Sequence, residues 1–264
     1  MTFEEKLKNQ EYDRIWQEYC GFLELDMDAY MGIQNRLLEE QMRLWCSSPL
    51  TTYEDYADVL LLKREDMLPD KPIIWIQTTW EGGKHPIKVA PYTKGMLQTY
   101  KNNVLTCMLL STSTEKGKFD VEAGDTFLYA LAPLPYTTGL IPLALTDEVD
   151  IEFSERNKRG FKMGLSKGID FFFGLGSVAY YVSLSVAALS EGSQKGSSVL
   201  KKICSMSPSM MAKYLKAKRE CKRENRPLKP KDIFRLKGFL CAGTDNHCYK
   251  DDLEDLWGVR PVEV

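Results

Sequence analysis

The feature that most constrains the fold is an uncharged run of nineteen residues from Phe171 to Leu189. The run opens with three phenylalanines, passes through Gly174-Leu175-Gly176-Ser177, and continues with an apolar segment of helical length. A membrane span needs about 20 apolar residues in one unbroken helix, whereas glycines interrupt this run near its start. The pattern predicts a buried strand that ends at Phe173, a turn and helix cap at 174–177, and a core helix at 178–189. We therefore expect a soluble protein and no membrane partner.

Short apolar strands alternate with helices from Ile73 to the last residue. Strands are predicted at 73–76, 87–90, 126–132, 149–153, 169–173, 238–241 and from 262, and helices at 93–110, 178–189, 198–205, 209–224 and 249–256. Such alternation is typical of an α/β fold with a mixed sheet and crossover helices. Residues 1–70 instead predict a helical segment, with helices at 27–45 and from Tyr53 to Leu62. We expect two regions: an N-terminal helical segment at 1–70 and an α/β region at 71–264.

Composition narrows the class of protein and its compartment. The chain is 44% hydrophobic and 27% charged, with a formal net charge of −2, which are values of a globular protein. The seven cysteines are scattered without C-x-x-C spacing, as in a reduced cytoplasmic protein. The first five residues include two glutamates and no basic residue, whereas a signal peptide begins with basic residues. No metal site is predicted, because Cys241, His247 and Cys248 lack the second ligand pair that zinc requires.

Positive charge is concentrated in one stretch of the sequence, between Lys195 and Lys237. This stretch contains fourteen lysines and arginines against three acidic residues, while the rest of the chain is acidic. A basic helix with Tyr214 among the charges is one pattern of nucleic-acid binding. A solvated helix face gives the same pattern, and we favour it because a single aromatic residue interleaves the charges.

A candidate binding loop follows the first strand, between Trp75 and Thr93. Two hydroxyls, a glycine pair and two lysines occur here in order: Thr78, Thr79, Gly82, Gly83, Lys84 and Lys88. Glycines let backbone N–H groups converge on an anion, hydroxyls donate hydrogen bonds, and a lysine supplies charge, so the segment suits phosphate binding. The spacing is not that of a Walker loop. A glycine hairpin with surface lysines has the same composition, and residue types alone leave both interpretations open.

This segment resembles the phosphate-binding loop of the adenylate-forming superfamily, [ST]-[ST]-G-[ST]-[ST]-G-x-P-K, followed by a short strand and a threonine. Two further segments resemble that superfamily in the same order. Residues 127–140 are similar to the segment that borders the acyl pocket, and residues 236–257 to the strand and glycine turn that lie against adenine. Residues 33–41 and 49–56 are similar to the N-terminal region of auxin-responsive acyl-acid amido synthetases and their bacterial relatives. Phenylacetate–coenzyme A ligases are the next nearest family.

The resemblance implies a ligase that joins a carboxylic acid to ATP, with Mg²⁺, and passes the acyl group to an amino acid or to coenzyme A. It implies Lys88 as the catalytic residue on the leaving phosphates, with Thr78, Thr79, Gly82, Gly83 and Lys84 beside it. Ala242, Gly243 and Thr244 would contact adenine, and Tyr136 and Gly139 would border the acyl group.

The sequence departs from the family pattern in the loop and at its end. Gln77 stands at a usual glycine, Trp80-Glu81 replaces small residues, and Tyr136 replaces a histidine. In relatives, the strand that begins at Val262 leads into a Tyr-Gly-x-[ST]-Glu motif that supplies a magnesium ligand, and this sequence stops before it. We therefore expect the chain to be part of the large N-terminal domain of such an enzyme, inactive alone. The alternative is a degenerate, non-catalytic protein of the same fold that binds a nucleotide or an acyl group.

Overall fold

The computed structural model describes residues 1–24, 51–68, 70–77, 84–131, 153–191, 206–243 and 246–264. The chain divides into two compact units, one formed by Met1–Ile15 with Val104–Val264 and the other by Trp16–Asn103. The boundary expected near residue 70 falls inside the second of these units. The predicted helices at 27–45 and 198–205 lie outside the described residues.

Nine helices and six strands occur within the described residues. In chain order they are α1 (Phe3–Lys8), α2 (Tyr12–Cys20), α3 (Tyr53–Leu61), β1 (Ile74–Gln77), β2 (Val89–Tyr92), α4 (Lys94–Thr112), β3 (Phe127–Ala130), α5 (Phe153–Lys167), β4 (Phe171–Leu175), α6 (Gly176–Glu191), α7 (Pro208–Glu224), α8 (Pro230–Ile233), β5 (Gly238–Ala242), α9 (Lys250–Trp257) and β6 (Val262–Glu263). Short 3-10 turns at Gly21–Glu24, Glu65–Met67 and Asn246–Cys248 complete the described elements.

Strands β3 to β6 form a parallel sheet in which they lie side by side in chain order. Parallel neighbours need a crossover connection, and a helix of the first unit lies in each of the three connections. Strands β1 and β2 form a separate antiparallel pair. The α/β class is thus confirmed, although the described strands lie in two sheets and not in a single mixed one.

Apolar side chains bury both faces of the parallel sheet. Successive residues of a strand point to opposite faces, and Phe171 and Phe172 of β4 are both 0% exposed. On one face, the rings of Phe172 and Phe239 meet edge-on at 5.2 Å, within a cluster that also includes residues of α5 to α9. On the other face, the ring of Phe171 meets that of Phe127 edge-on at 6.2 Å. The uncharged run that begins at Phe171 therefore forms a buried strand and helix α6, which packs one face against the core at Ala179 and Val186 and leaves Tyr181 and Leu184 exposed. No helix within the described residues is long and apolar enough to cross a membrane.

The prediction of a strand at 149–153 is wrong at its last residue, because Phe153 begins helix α5. Residues 149–152 lie outside the described part of the chain. The sequence of α5 lacks the apolar stripe that is typical of a helix, because its buried side includes Arg156, Gly160 and Gly164. Arg156 is 2% exposed, and its guanidinium donates a hydrogen bond to the carbonyl oxygen of Leu131, just after β3.

Helix α7 separates an apolar face from a basic face. Met210, Tyr214, Ala217 and Cys221 are buried against the core. The exposed positions include six cations, Lys213, Lys216, Lys218, Arg219, Lys222 and Arg223. The helix predicted at 209–224 is confirmed, and its basic residues lie on the side away from the core.

Three carboxylates surround the ammonium group of Lys237, the residue before β5. Its Nζ atom lies 3.2 Å from Asp120 Oδ1, 3.1 Å from Glu122 Oε2 and 3.0 Å from Asp125 Oδ1. Burial alone would lower the pKa of Lys237, but the hydrogen bonds to these carboxylates outweigh it and raise that pKa. The cluster ties the segment before β3 to the start of β5.

A second polar cluster joins the end of α7 to α8. Two Arg226 nitrogens lie 2.8 and 2.9 Å from the two carboxylate oxygens of Asp232, and the Lys229 N–H donates to the same carboxylate at 2.8 Å. The Asp232 side chain is 13% exposed. Burial would raise the pKa of Asp232, but the hydrogen bonds from Arg226 and Lys229 outweigh it and hold that pKa below its usual value of 3.8.

We predict that Asp232→Asn lowers the free energy of unfolding by about 2 kcal/mol at neutral pH, because it removes the charge from a paired, half-buried site. A carboxylate with a lowered folded pKa stabilises the fold above its unfolded pKa. The contribution is lost as the pH falls through the folded pKa. The difference in the free energy of unfolding between wild type and variant should therefore become smaller below pH 3.8. Urea unfolding at neutral and acidic pH measures it.

The control is Asp255→Asn, which removes an exposed carboxylate paired with Lys229 and Lys231. We expect it to change stability by less than about 1 kcal/mol. If both variants lost the same free energy of unfolding at neutral pH, burial would not explain the contribution of Asp232.

Candidate functional site

The antiparallel pair β1–β2 closes the connection that contains the predicted phosphate-binding residues. Gln77 pairs with Val89, so residues 78–88 form this connection. Lys88 is its last residue and is half-buried, and its Nζ atom lies 6.0 Å from the centre of the Tyr53 ring. Four of the predicted residues lie in the connection but outside the described residues: Thr78, Thr79, Gly82 and Gly83.

Tyr53, the first residue of α3, holds the start of β2. Its hydroxyl accepts a hydrogen bond from the Val89 N–H at 2.8 Å and donates one to the Val89 carbonyl oxygen at 3.1 Å. The Tyr53 ring also meets the His85 ring edge-on at 6.0 Å. Helix α3 therefore contacts the backbone of the residue that follows Lys88.

Lys84 contacts the same turn of α3. Its Nζ atom lies 3.3 Å from Glu54 Oε2, and the two side chains are 68% and 53% exposed. Exposed ion pairs contribute about 0.2–1 kcal/mol, so this ammonium can turn to another anion at small cost. The structure thus brings both predicted lysines, Lys84 and Lys88, to the first turn of α3.

The segment expected to contact adenine lies at the carboxyl end of the parallel sheet. Ala242 is the last residue of β5 and pairs with Leu175 of β4. Gly243 follows with φ +118°, in the region that favours glycine. Ligands of open α/β sheets bind beyond the carboxyl ends of the strands, at a point where the strand order reverses. Ala242 and Gly243 lie at this end of the sheet, but the described strands β3 to β6 follow chain order without a reversal. Thr244 lies outside the described residues.

Asn246 is a polar residue of this region that the sequence did not single out. It is 3% exposed, and its Oδ1 atom accepts a hydrogen bond at 3.2 Å from the N–H of Gly176, the first residue of α6. The first N–H groups of a helix lack partners within the helix, so this contact satisfies one of them. A Cβ atom at position 176 would lie 2.8 Å from Asn246 Oδ1, which explains the glycine there. Asparagine is a common helix cap, but here it caps a helix seventy residues away in the sequence.

Cys241, in β5, does not provide a nucleophile at neutral pH. Burial, with a smaller effect of Glu263, raises the pKa of Cys241 to about 12, so its thiol stays protonated. Cys248 is exposed, with its Sγ atom 3.4 Å from His247 Nε2. Within the described residues, no three His, Cys, Asp or Glu side chains form a group suited to a metal ion.

The predicted site residues fall in both units. Lys84 and Lys88 belong to the unit formed by Trp16–Asn103, and Ala242 and Gly243 to the other. Tyr136 and Gly139, expected to border the acyl group, lie outside the described residues.

In comparisons with known proteins, no family model matches the chain, and no curated protein or solved structure is detectably similar to it. The resemblance to adenylate-forming enzymes therefore stays a prediction.

We predict that Asn246→Ala lowers the free energy of unfolding by about 1 kcal/mol, the usual effect of losing a side-chain cap. Urea unfolding followed by circular dichroism measures the change. The control is Asn103→Ala, at an exposed position of α4, where alanine is the better helix former. An Asn246→Ala variant as stable as the control would show that the contact with Gly176 contributes nothing.

Proposed function

We propose that this chain binds ATP and a carboxylic acid and belongs to a ligase that forms an acyl-adenylate. The observation that supports this proposal best is the closure of the β1–β2 connection at Gln77 and Val89. It makes Lys88 the residue at the base of a connection whose sequence contains two threonine hydroxyls and a glycine pair. Those groups are what a polyphosphate requires: convergent N–H and O–H donors and a positive charge.

The proposed reaction is an in-line displacement at the α-phosphorus of ATP. A carboxylate oxygen forms a bond to that phosphorus while the bond to the bridging oxygen of pyrophosphate breaks. In phosphoryl transfer of this kind, positioning and neutralisation of charge dominate the catalysis. The Lys88 ammonium would hold the β- and γ-phosphates, and Lys84, released from Glu54, would add a second positive charge. The amine of an amino acid or the thiol of coenzyme A would then form a bond to the acyl carbon while the bond to the adenylate oxygen breaks and AMP leaves.

The family reaction uses Mg²⁺, which would neutralise further charge on the phosphates. Within the described residues, no three His, Cys, Asp or Glu side chains form a group suited to a metal ion, so no step is assigned to the metal. The resemblance also implies adenine contacts at Ala242, the last residue of β5, and at Gly243, which follows it.

We predict that Lys88→Ala raises the Kd for ATP roughly tenfold or more, because a charge-assisted hydrogen bond to a phosphate contributes about 1.5–3 kcal/mol. Equilibrium dialysis with labelled ATP measures it. Lys71→Ala, at an exposed lysine two positions before Ile73, is the matched control and should leave the Kd unchanged.

An unchanged Kd in Lys88→Ala would remove Lys88 from the proposed site. Exchange of labelled pyrophosphate into ATP, dependent on added carboxylic acid, tests the chemical step separately. ATP binding without exchange, in a protein that contains all the family motifs, would favour the alternative of a non-catalytic nucleotide-binding protein.

A further inference from the structure

We propose that Tyr53 is a positioning residue for Lys88, and that the first turn of α3 fixes the downstream arm of the β1–β2 connection for phosphate binding. This inference rests on the proposed function. The phosphate-binding pattern in the sequence does not include Tyr53, which lies 36 positions from the residue it binds.

The first argument is the pair of hydrogen bonds at Val89. A hydroxyl group has one donor and two acceptor sites, and the Tyr53 hydroxyl uses both functions on the N–H and the carbonyl of one residue. Two bonds from a rigid phenol to the two peptide units that flank the Val89 Cα atom fix the position and the direction of the backbone there. Because Val89 directly follows Lys88, they also fix the point from which the Lys88 side chain extends.

The second argument is the contact of the Tyr53 ring with the Lys88 ammonium. The Nζ atom lies 6.0 Å from the ring centre, at the outer limit of a cation–π interaction. At a partly exposed site such a contact is weak, and it favours one orientation of the lysine side chain.

The third argument is that the turn which holds Tyr53 is itself fixed. Thr52 caps α3, and its N–H donates to the Asp55 carboxylate at 2.6 Å. The neighbouring residue Glu54 pairs with Lys84, so two adjacent residues of this turn contact the two predicted lysines. A structural role in β2 alone would require the hydroxyl but would not explain why both lysines meet the same turn.

The test is Tyr53→Phe, which removes the hydroxyl and keeps the ring. Its control is Tyr56→Phe, in the same helix, which removes a hydroxyl that donates to Thr51 Oγ1 at 2.8 Å. We expect Tyr53→Phe to raise the Kd for ATP roughly fivefold, the effect of losing one or two neutral hydrogen bonds, and Tyr56→Phe to leave it unchanged. Tripolyphosphate, which has no adenosine, should show the same rise if the effect acts on the phosphates.

A double-mutant cycle separates positioning from stability. If Tyr53 acts through Lys88, then Tyr53→Phe should have no further effect on the Kd for ATP in the Lys88→Ala background, although its effect on thermal stability persists. The inference would be overturned if the losses of ATP affinity in the two single variants added fully in the double variant, or if the Kd of Tyr53→Phe were unchanged. Either result would leave the proposed function standing. An unchanged Kd in Lys88→Ala would remove Lys88 from the site and overturn the inference with it, and failure of the wild-type protein to bind ATP would overturn both the inference and the proposed function.

Discussion

The need to cover both faces of the parallel sheet governs the rest of the structure. A strand in the middle of such a sheet has no solvent side, so β4 is apolar along its length and passes directly into α6. Close packing extends to its glycine, since a Cβ atom at Gly174 would lie 2.9 Å from Ala130 Cβ on the neighbouring strand. Replacing a buried phenylalanine of this strand by alanine would cost about 3–5 kcal/mol.

Much of the fold was predictable because periodicity and caps are local signals. The strands β1, β3, β4, β5 and β6 and the helices α3, α4, α6, α7 and α9 lie within a few residues of their predicted bounds. Helix α5 was missed because its buried side consists largely of glycine and arginine, residues that a hydrophobic pattern does not count. Strand β2 begins at Val89 rather than residue 87, because pairing starts opposite Gln77, where β1 ends.

The candidate site was predictable only in part, since its contacts are long-range. The sequence pointed to Lys84 and Lys88 through their place after a glycine pair, and both side chains contact the first turn of α3. It did not point to Tyr53 or Asn246, because each binds a backbone group far away in the chain. Such partners follow from the packing of elements, which single-sequence patterns do not specify. The inert thiol of Cys241 also follows from packing, because it results from the burial of this residue in β5.

The contact between Tyr53 and Val89 has a consequence for association between molecules. A strand with free N–H and carbonyl groups along one side is a template for a strand of another chain. At Val89 both groups are already bonded to a single phenol hydroxyl, which takes the place of a neighbouring strand. The side chain that holds the lysine in place therefore also blocks strand addition at this position of β2.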